Sequence, residues 1–221
     1  MNFLQLAQRL HSETLRSTAA PTAYVGANDR HMRLFNRIAD CWRDLQNERD
    51  WKWMRGTTDN ALTVGQQIYT GAELGAVNFG RWRPEDSTYS VQLYLDGQPN
   101  TLWYASQWNL DSLRNEWVYR NTTVSSTPLN WAIDEEQRMV IGPKPAIAYK
   151  IRAEYWKEPT ELAADADTPD MPERSHMLLV WGALRTMALD DAAPETRQKG
   201  EEGWAKLYGQ LMRDQARMPH L

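Results

Sequence analysis

"ERDWKWMRG" (Glu48–Gly56) sets two tryptophans and a methionine among five charged residues, and its reading decides where the helical part of the chain stops. Three uses fit such a mixture: a platform on which sugar rings stack, a clamp for nucleic acid, or a joint between two parts of a fold. Continuing the preceding helix through it, at about 100° per residue, places Arg49 and Lys52 on the buried seam, Trp53 at its edge and Trp51 on the opposite side. That would bury charge and expose an indole. An extended chain does better, because its side chains alternate: Trp51 and Trp53 share one face, Lys52 and Met54 the other. The helix is therefore expected to end near Glu48–Asp50 and a strand to begin at the tryptophans. Trp51 and Trp53 then read as a domain junction, with Trp156, where the chain crosses back, as their neighbour.

Upstream, Leu34, Phe35, Ile38, Cys41, Trp42 and Leu45 form an apolar seam opposite Arg33, Arg37, Arg43 and Asp44, the pattern of an amphipathic helix capped by Asn28 or Asp29. Phe3, Leu6, Ala7, Leu10 and Thr14 share one face of an earlier helix, which "STAAPT" (Ser17–Thr22) breaks. From Thr57 to Lys157 the period changes from helical to alternating. "VQLYL", "DGQPN" and "TLWYA" (91–105) read as a hairpin, "LNWAID" turns through "DEEQ" into "RMVIG", and "IAYKIRAEYW" alternates Ile147, Tyr149, Ile151, Ala153 and Tyr155 with Lys150, Arg152 and Glu154. Six to eight short antiparallel strands are expected.

An acidic connector (Lys157–Glu173) follows. It closes on a capping box, Asp170 with Glu173, and a helix with Met177, Val180, Trp181, Leu184, Met187 and Ala188 on one face. After "DDAAPE" a last helix carries Trp204, Leu207, Tyr208, Leu211 and Met212. Gly200, Gly203 and Gly209 weaken it, so close helix packing or mobility must compensate. The expected fold is α+β: an antiparallel helical bundle built from the N- and C-terminal helix pairs, with an inserted antiparallel β-sandwich or barrel-like domain. The expected boundaries are 1–52 and 173–221 for the bundle, 53–158 for the β domain and 159–172 for a linker.

Composition narrows the function. The net charge is −4 over 221 residues, and no Lys/Arg block appears, which argues against a protein that grips duplex DNA through its phosphates. One cysteine, Cys41, precludes an intramolecular disulfide and reads as a buried thiol. The first residues lack a signal-peptide pattern, and no apolar run reaches spanning length. Chemistry is sparse. His11, His31, His176 and His220 are not spaced as metal ligands, and His11 and His31 read as helix-surface residues. "GAELGAVNFG" (Gly71–Gly80) is Gly-spaced but opens no helix after a strand, so it reads as a surface loop. Asp134, Glu135 and Glu136 fall in a turn, Glu201 and Glu202 on a polar helix face, and neither pair reads as a catalytic acid and base. No catalytic residue, metal site or cofactor is expected. Eleven tryptophans are the feature to explain. Trp82, Trp103, Trp108, Trp117 and Trp131 on a β domain suggest a carbohydrate-binding face, yet such side chains also fill shallow cores and subunit interfaces.

The helical segments carry a resemblance. "MNFLQLAQRLHSETLRST", "PTAYVG" and "RLFNRIADCWRDLQNERDWKWMR", with the pattern W-x-D-L/I-Q in "CWRDLQ" (Trp42, Asp44, Leu45, Gln46), resemble the head-to-tail adaptor (connector) proteins of tailed bacteriophages, those of short-tailed phages in particular. The likeness is strongest over residues 1–56, weaker over the β domain, and one of kind over the last two helices. It implies a non-enzymatic virion protein, made in the host cytoplasm and placed at the head–tail interface. Such proteins form a ring, generally of about twelve copies, head-to-tail around a closed circle. The implied partners are the portal protein ring and tail proteins (nozzle or fiber-bearing), with double-stranded DNA passing through the channel without sequence-specific binding, and no membrane. The C-terminal segment, Arg213, Arg217, Met218, Pro219, His220 and Leu221, is the implied portal contact. Some relatives cleave peptidoglycan. A Trp-mediated carbohydrate-binding module and a peptidoglycan hydrolase remain the alternatives.

Overall fold

The computed structural model describes residues 1–14, 19–83, 91–121, 123–191 and 193–216. Among these lie the helices α1 (Phe3–Thr14), α2 (Asp29–Glu48), α3 (Leu110–Leu113), α4 (Met177–Asp190) and α5 (Pro194–Ala216). The strands are β1 (Arg55–Ala61), β2 (Ile68–Tyr69), β3 (Phe79–Trp82), β4 (Val91–Leu95), β5 (Gln98–Tyr104), β6 (Ser106–Gln107), β7 (Ser125–Ser126), β8 (Asn130–Ile133), β9 (Met139–Gly142), β10 (Lys144–Pro145) and β11 (Tyr149–Lys157). The fold is α+β. The chain divides into a helical unit, Met1–Trp53 with Pro159–Leu221, and a β unit, Met54–Glu158.

In the helical unit α4 packs against α1, α2 and α5. The expected single apolar face of α4 is too narrow: Leu178, Leu179, Val180, Gly182, Ala183 and Leu184 are all buried, because three helices surround it. The seam of α2 is as expected, with Leu34, Phe35, Ile38, Trp42 and Leu45 buried, and the Asn28 side chain accepts from the His31 N–H at 2.9 Å to cap it. His11 corrects the surface expectation. It is 4 % exposed and packs edge-on to His31, ring centroids 5.8 Å apart, because α1 touches both α2 and α4 and so buries a wider stripe.

The expected capping box at Asp170 is absent. A 3₁₀ turn, Glu173–Ser175, precedes α4 instead, held by backbone bonds from the Ser175 and His176 N–H groups to the Pro172 and Glu173 carbonyls, so the helical backbone starts after Pro172 and not directly after Asp170, as a cap there requires. The stretch before it is pinned within the helical unit. The Thr160 N–H donates to the Gln46 side chain, the Gln46 amide donates to the Thr160 carbonyl, and the Asp165 carboxylate accepts from the Tyr24 N–H. Gly200 and Gly203 resolve in favour of close packing. A Cβ on Gly200 would stand 2.9 Å from the Arg185 backbone and one on Gly203 2.6 Å from the Trp181 indole, whereas one on Gly209 would meet only the end of the Arg213 side chain, at an ordinary 3.7 Å.

In the β unit, β11 is the central strand. β1 pairs along one edge, and β3 and β4 share the other; β5 extends the sheet beyond β4. A second sheet runs β2-β9-β8-β6. The two sheets enclose one core in which Trp82, Leu93, Ile151 and Tyr155 from the first meet Tyr69, Trp131, Met139 and Ile141 from the second. Alternation sends the other side chains of β8 and β9, Ala132 and Val140, outward against Leu113 of α3 and Trp117 of the π-helical turn that follows. The β4–β5 hairpin forms with the shorter turn Asp96–Gly97, Gly97 taking the positive φ of +76° that its tight turn needs. Two expectations change. The described strands number eleven, several only two residues long, and two of the pairings, β6 with β8 and β7 with β10, are parallel.

Candidate functional site: an aromatic ladder beside a charged groove

The opening stretch departs from the strand expected at its tryptophans. α2 ends at Glu48, as anticipated, but Lys52–Met54 form a 3₁₀ turn and β1 begins only at Arg55. The turn lets the two indoles stack face to face, centroids 4.5 Å apart and planes 14° from parallel. Trp51 is fully buried, and its Nε1–H donates to the Leu45 carbonyl in the last turn of α2. The stack leads on to α5. The Tyr208 ring meets Trp51 edge-on at 6.4 Å, Trp204 stacks on Tyr208 at 5.6 Å, and the Arg185 guanidinium of α4 lies 4.2 Å from the Trp204 centroid. Charge frames this ladder: Arg49 lies over Trp51 at 5.5 Å, and the Tyr208 hydroxyl donates to Glu48. The last turns of α5 are tied to the same place, because the Lys52 N–H donates to Gln215 Oε1 at 2.8 Å.

Beside the ladder is a groove of about 750 Å³ between α2, α4 and α5. Its walls carry both signs: Arg37, Arg43 and Arg185 against Asp40, Asp44 and Glu48. Its floor is Gly182. A Cβ there would stand 2.3 Å from Cys41 Sγ and 2.6 Å from the Trp204 ring, so the missing side chain seats both. Burial pushes the Cys41 thiol up to about 12. It is therefore protonated at neutral pH and a poor nucleophile. At the other end of α2, Arg33 and Arg37 reach Asp190 and Asp191 at the end of α4, where carboxylates would otherwise oppose the helix dipole.

The residues expected at a junction fall as follows. Trp51 and Trp53 are together in the helical unit. Trp156 lies in the β unit, on the outer face of β11, with the Arg83 guanidinium 5.6 Å from its ring centroid. Of the implied portal contacts, Arg213 is exposed on α5, while Arg217, Met218, Pro219, His220 and Leu221 lie outside the described residues. Trp204 and Tyr208, expected only as part of the α5 apolar stripe, complete the ladder with Arg185, which the sequence did not single out. The 3.6-residue stripe on α5 places both rings on one face, but nothing in the linear order ties them to Trp51.

The tryptophans of the β unit are largely structural. Trp82 and Trp131 are 2 % exposed, and their Nε1–H groups donate to the Gln137 and Ala105 carbonyls; Trp103 donates to the Pro128 carbonyl. Trp117 packs on Gly142, and Trp108 is 38 % exposed. An open platform of five rings does not form. The turn acids likewise serve the fold. Asp134 is buried, which raises its pKa, but hydrogen bonds from the Glu136 and Arg138 N–H groups and the Arg138 side chain outweigh this and hold it below the ordinary carboxylate value. Its neighbour Glu135, paired with Arg114, is held down to about 2. Carboxyls kept ionised in this way are unsuited to donate a proton as a glycosidase acid does. Among the described residues no group of three or more His, Cys, Asp or Glu side chains is placed to hold a metal ion, and no helix is long and apolar enough to cross a membrane.

What the site offers, then, is stacking surface, paired charge and close helix packing, the means of binding and assembly. No curated protein matches this chain. The family model described as SU10 adaptor protein matches residues 1–220, almost the whole chain, and the chain therefore belongs to that family, one of bacteriophage head-to-tail adaptors.

Proposed function

We propose that the protein is a structural subunit of the head–tail junction of a tailed-phage virion, assembling into a ring below the portal, extending the DNA channel and offering a platform for tail proteins. The family match over residues 1–220 carries this reading. In it, the N- and C-terminal helix pairs act as one antiparallel bundle at the ring, the β unit is a sandwich-like or barrel-like domain, and Trp51, Trp53 and Trp156 mark the junction between them. The end of α5 from Arg213 onward meets the portal. A conduit must let DNA slide, and the net charge of −4 suits this, since a strongly basic lining would hold phosphate.

The test is to mix the purified chain with intact portal rings and weigh the product by native mass spectrometry. Added mass in whole copies, saturating at a fixed number, is expected. No added mass on an intact portal ring defeats the proposal. The sugar-binding and hydrolase alternatives lose ground to the buried tryptophans and ionised turn acids of the β unit. Glycan titration calorimetry and peptidoglycan zymography are expected to be blank.

A further inference from the structure

The outer face of the larger β sheet is built unlike the rest of this acidic chain. Strand register places its side chains in cross-strand rows: Arg55, Trp156 and Arg81; Asp59, Arg152, Gln92 and Tyr104; Lys150 and Tyr94. Arg83 joins the face beside Glu154, whose carbonyl accepts from its backbone N–H. The five cations thus outnumber the carboxylates beside them, Asp59, Glu154 and Asp96, the last 3.7 Å from Lys150. Aromatic rings lie between them, with Arg83 5.6 Å from the Trp156 centroid and Arg152 5.8 Å from that of Tyr94. The ion pairs Arg152–Asp59 and Arg55–Glu154, both 2.7 Å, hold the array rigid. Arg81 and Tyr104 are exposed and Lys150 half-exposed, so the face is open to a partner.

The complementary surface is on the helical unit of the same chain. From Glu161 to Glu173 there are five carboxylates and no cation. Asp165 and Asp167 are spent on backbone N–H groups, while Leu162, Pro169 and Met171 are buried and fix the segment. Glu161 and Asp170 are left exposed, and so is Glu173 beside the Met1 ammonium at 3.6 Å, on a stretch that is already ordered, so little entropy is lost on docking.

We infer that the basic–aromatic face of the β sheet docks the acidic Glu161–Glu173 stretch of a second copy. Two different patches of one chain meet, which is a head-to-tail contact that repeats from copy to copy and closes into a ring. The inference rests on the ring reading above and names the surfaces that would make it. Duplex DNA fits the face less well, because Asp59 and Glu154 stand among the cations and would face phosphates.

The experiment counts copies per portal ring by native mass spectrometry for the wild type, for Arg81→Glu with Lys150→Glu, for Glu161→Lys with Asp170→Lys, and for all four changes together. Circular dichroism confirms that each variant folds. Each reversed pair is expected to raise the half-saturating concentration about tenfold or more, and the fourfold variant to restore it, as complementary charges do when exchanged together. If the wild type saturates the portal and both reversed pairs do so equally well, the inference falls and the adaptor reading stands. If the wild type adds no mass, both fall. Tight binding of labelled duplex DNA that is lost in the first variant while copy number is unchanged overturns the inference in favour of nucleic acid. A changed sedimentation coefficient of the monomer with unchanged copy number overturns it in favour of a contact within one chain.

Discussion

The two units spend their tryptophans differently. In the β unit Trp82, Trp103 and Trp131 lie between two sheets and each donates to a loop carbonyl, so each of these three rings also staples a connection to the sheet, while the buried Trp117 Nε1–H outside the sheets finds no acceptor among the described residues. In the helical unit the rings line up between helices. Trp51 donates to the Leu45 carbonyl, but Trp42 and Trp53 have buried Nε1–H groups that find no acceptor among the described residues, and cations meet the ring faces of Trp51, Trp181 and Trp204. The strands need side chains that fill space and fix turns. The helices, whose backbones are satisfied internally, need surfaces that let their axes approach, and glycine notches with flat rings provide these. The β unit is held together by directional bonds, the helical unit by fit.

The sharpest way to break this contrast is to remove its largest contact. Trp51→Ala takes away a fully buried ring that bridges α2 and α5 and is expected to cost about 3–5 kcal/mol in urea unfolding. A negligible loss would return the ladder to decoration. Next come the notches. Gly182→Ala improves helix propensity but drives a methyl into Cys41 and Trp204, so a net loss of about 1–3 kcal/mol is expected. Gly209→Ala, whose methyl would meet only the Arg213 guanidinium at 3.7 Å, is expected to stabilise by up to about 1 kcal/mol. Equal signs for the two would undo the argument from fit.

A gentler effect should separate the units by pH. Burial lowers the pKa of both His11 and His176 from the ordinary 6.5, with His31 and Arg30 adding to it at His11. Their folded values lie below the unfolded one, so the unfolded chain binds the extra proton first. The helical unit holds its full stability above about pH 6.5 and loses it as the pH falls through that region. In the β unit, burial works against Asp59 and Asp134, but hydrogen bonds from Tyr94, Arg152 and Arg138 leave their carboxylates below the ordinary 3.8. Their contribution therefore persists until the carboxylate range itself. Amide exchange, corrected for its intrinsic rate, should loosen α1 and α4 before β8 and β9 between pH 7 and 5. The smallest effect belongs to the exposed pairs: Arg33→Ala should change stability by no more than about 1 kcal/mol in low salt.

How much of this was legible depended on how local each signal was. The α2 seam and the alternation of Tyr149, Ile151, Ala153 and Tyr155 follow from repeating solvent exposure and are as read, except that Cys41 is only half-buried and Ile147, expected on the strand's buried face, precedes β11 and is exposed. His11 and the fully wrapped α4 were misjudged because the width of a buried stripe depends on how many neighbours a helix has, which the helix itself does not record. The parallel pairs β6–β8 and β7–β10 join two-residue strands, too short to carry a period. At the site, the aromatic character of Trp51 and Trp53 was plain, but the extended chain expected there lost to a 3₁₀ turn, in which the half-buried Trp53 stacks face to face on the fully buried Trp51.

β11 holds the middle of its sheet and α4 the middle of its helices, and each is among the last of its unit to leave the ribosome. A chain is made from its N-terminus, at about 5–20 residues per second. β1, β3 and β4 must therefore wait for Tyr149–Lys157 before any of them has its central partner, and α1 and α2 must wait longer, for Met177–Asp190. Synthesis holds both cores open until it is nearly done, so a truncated product lacks the centre of one layer or both and has no finished surface to offer an assembling particle.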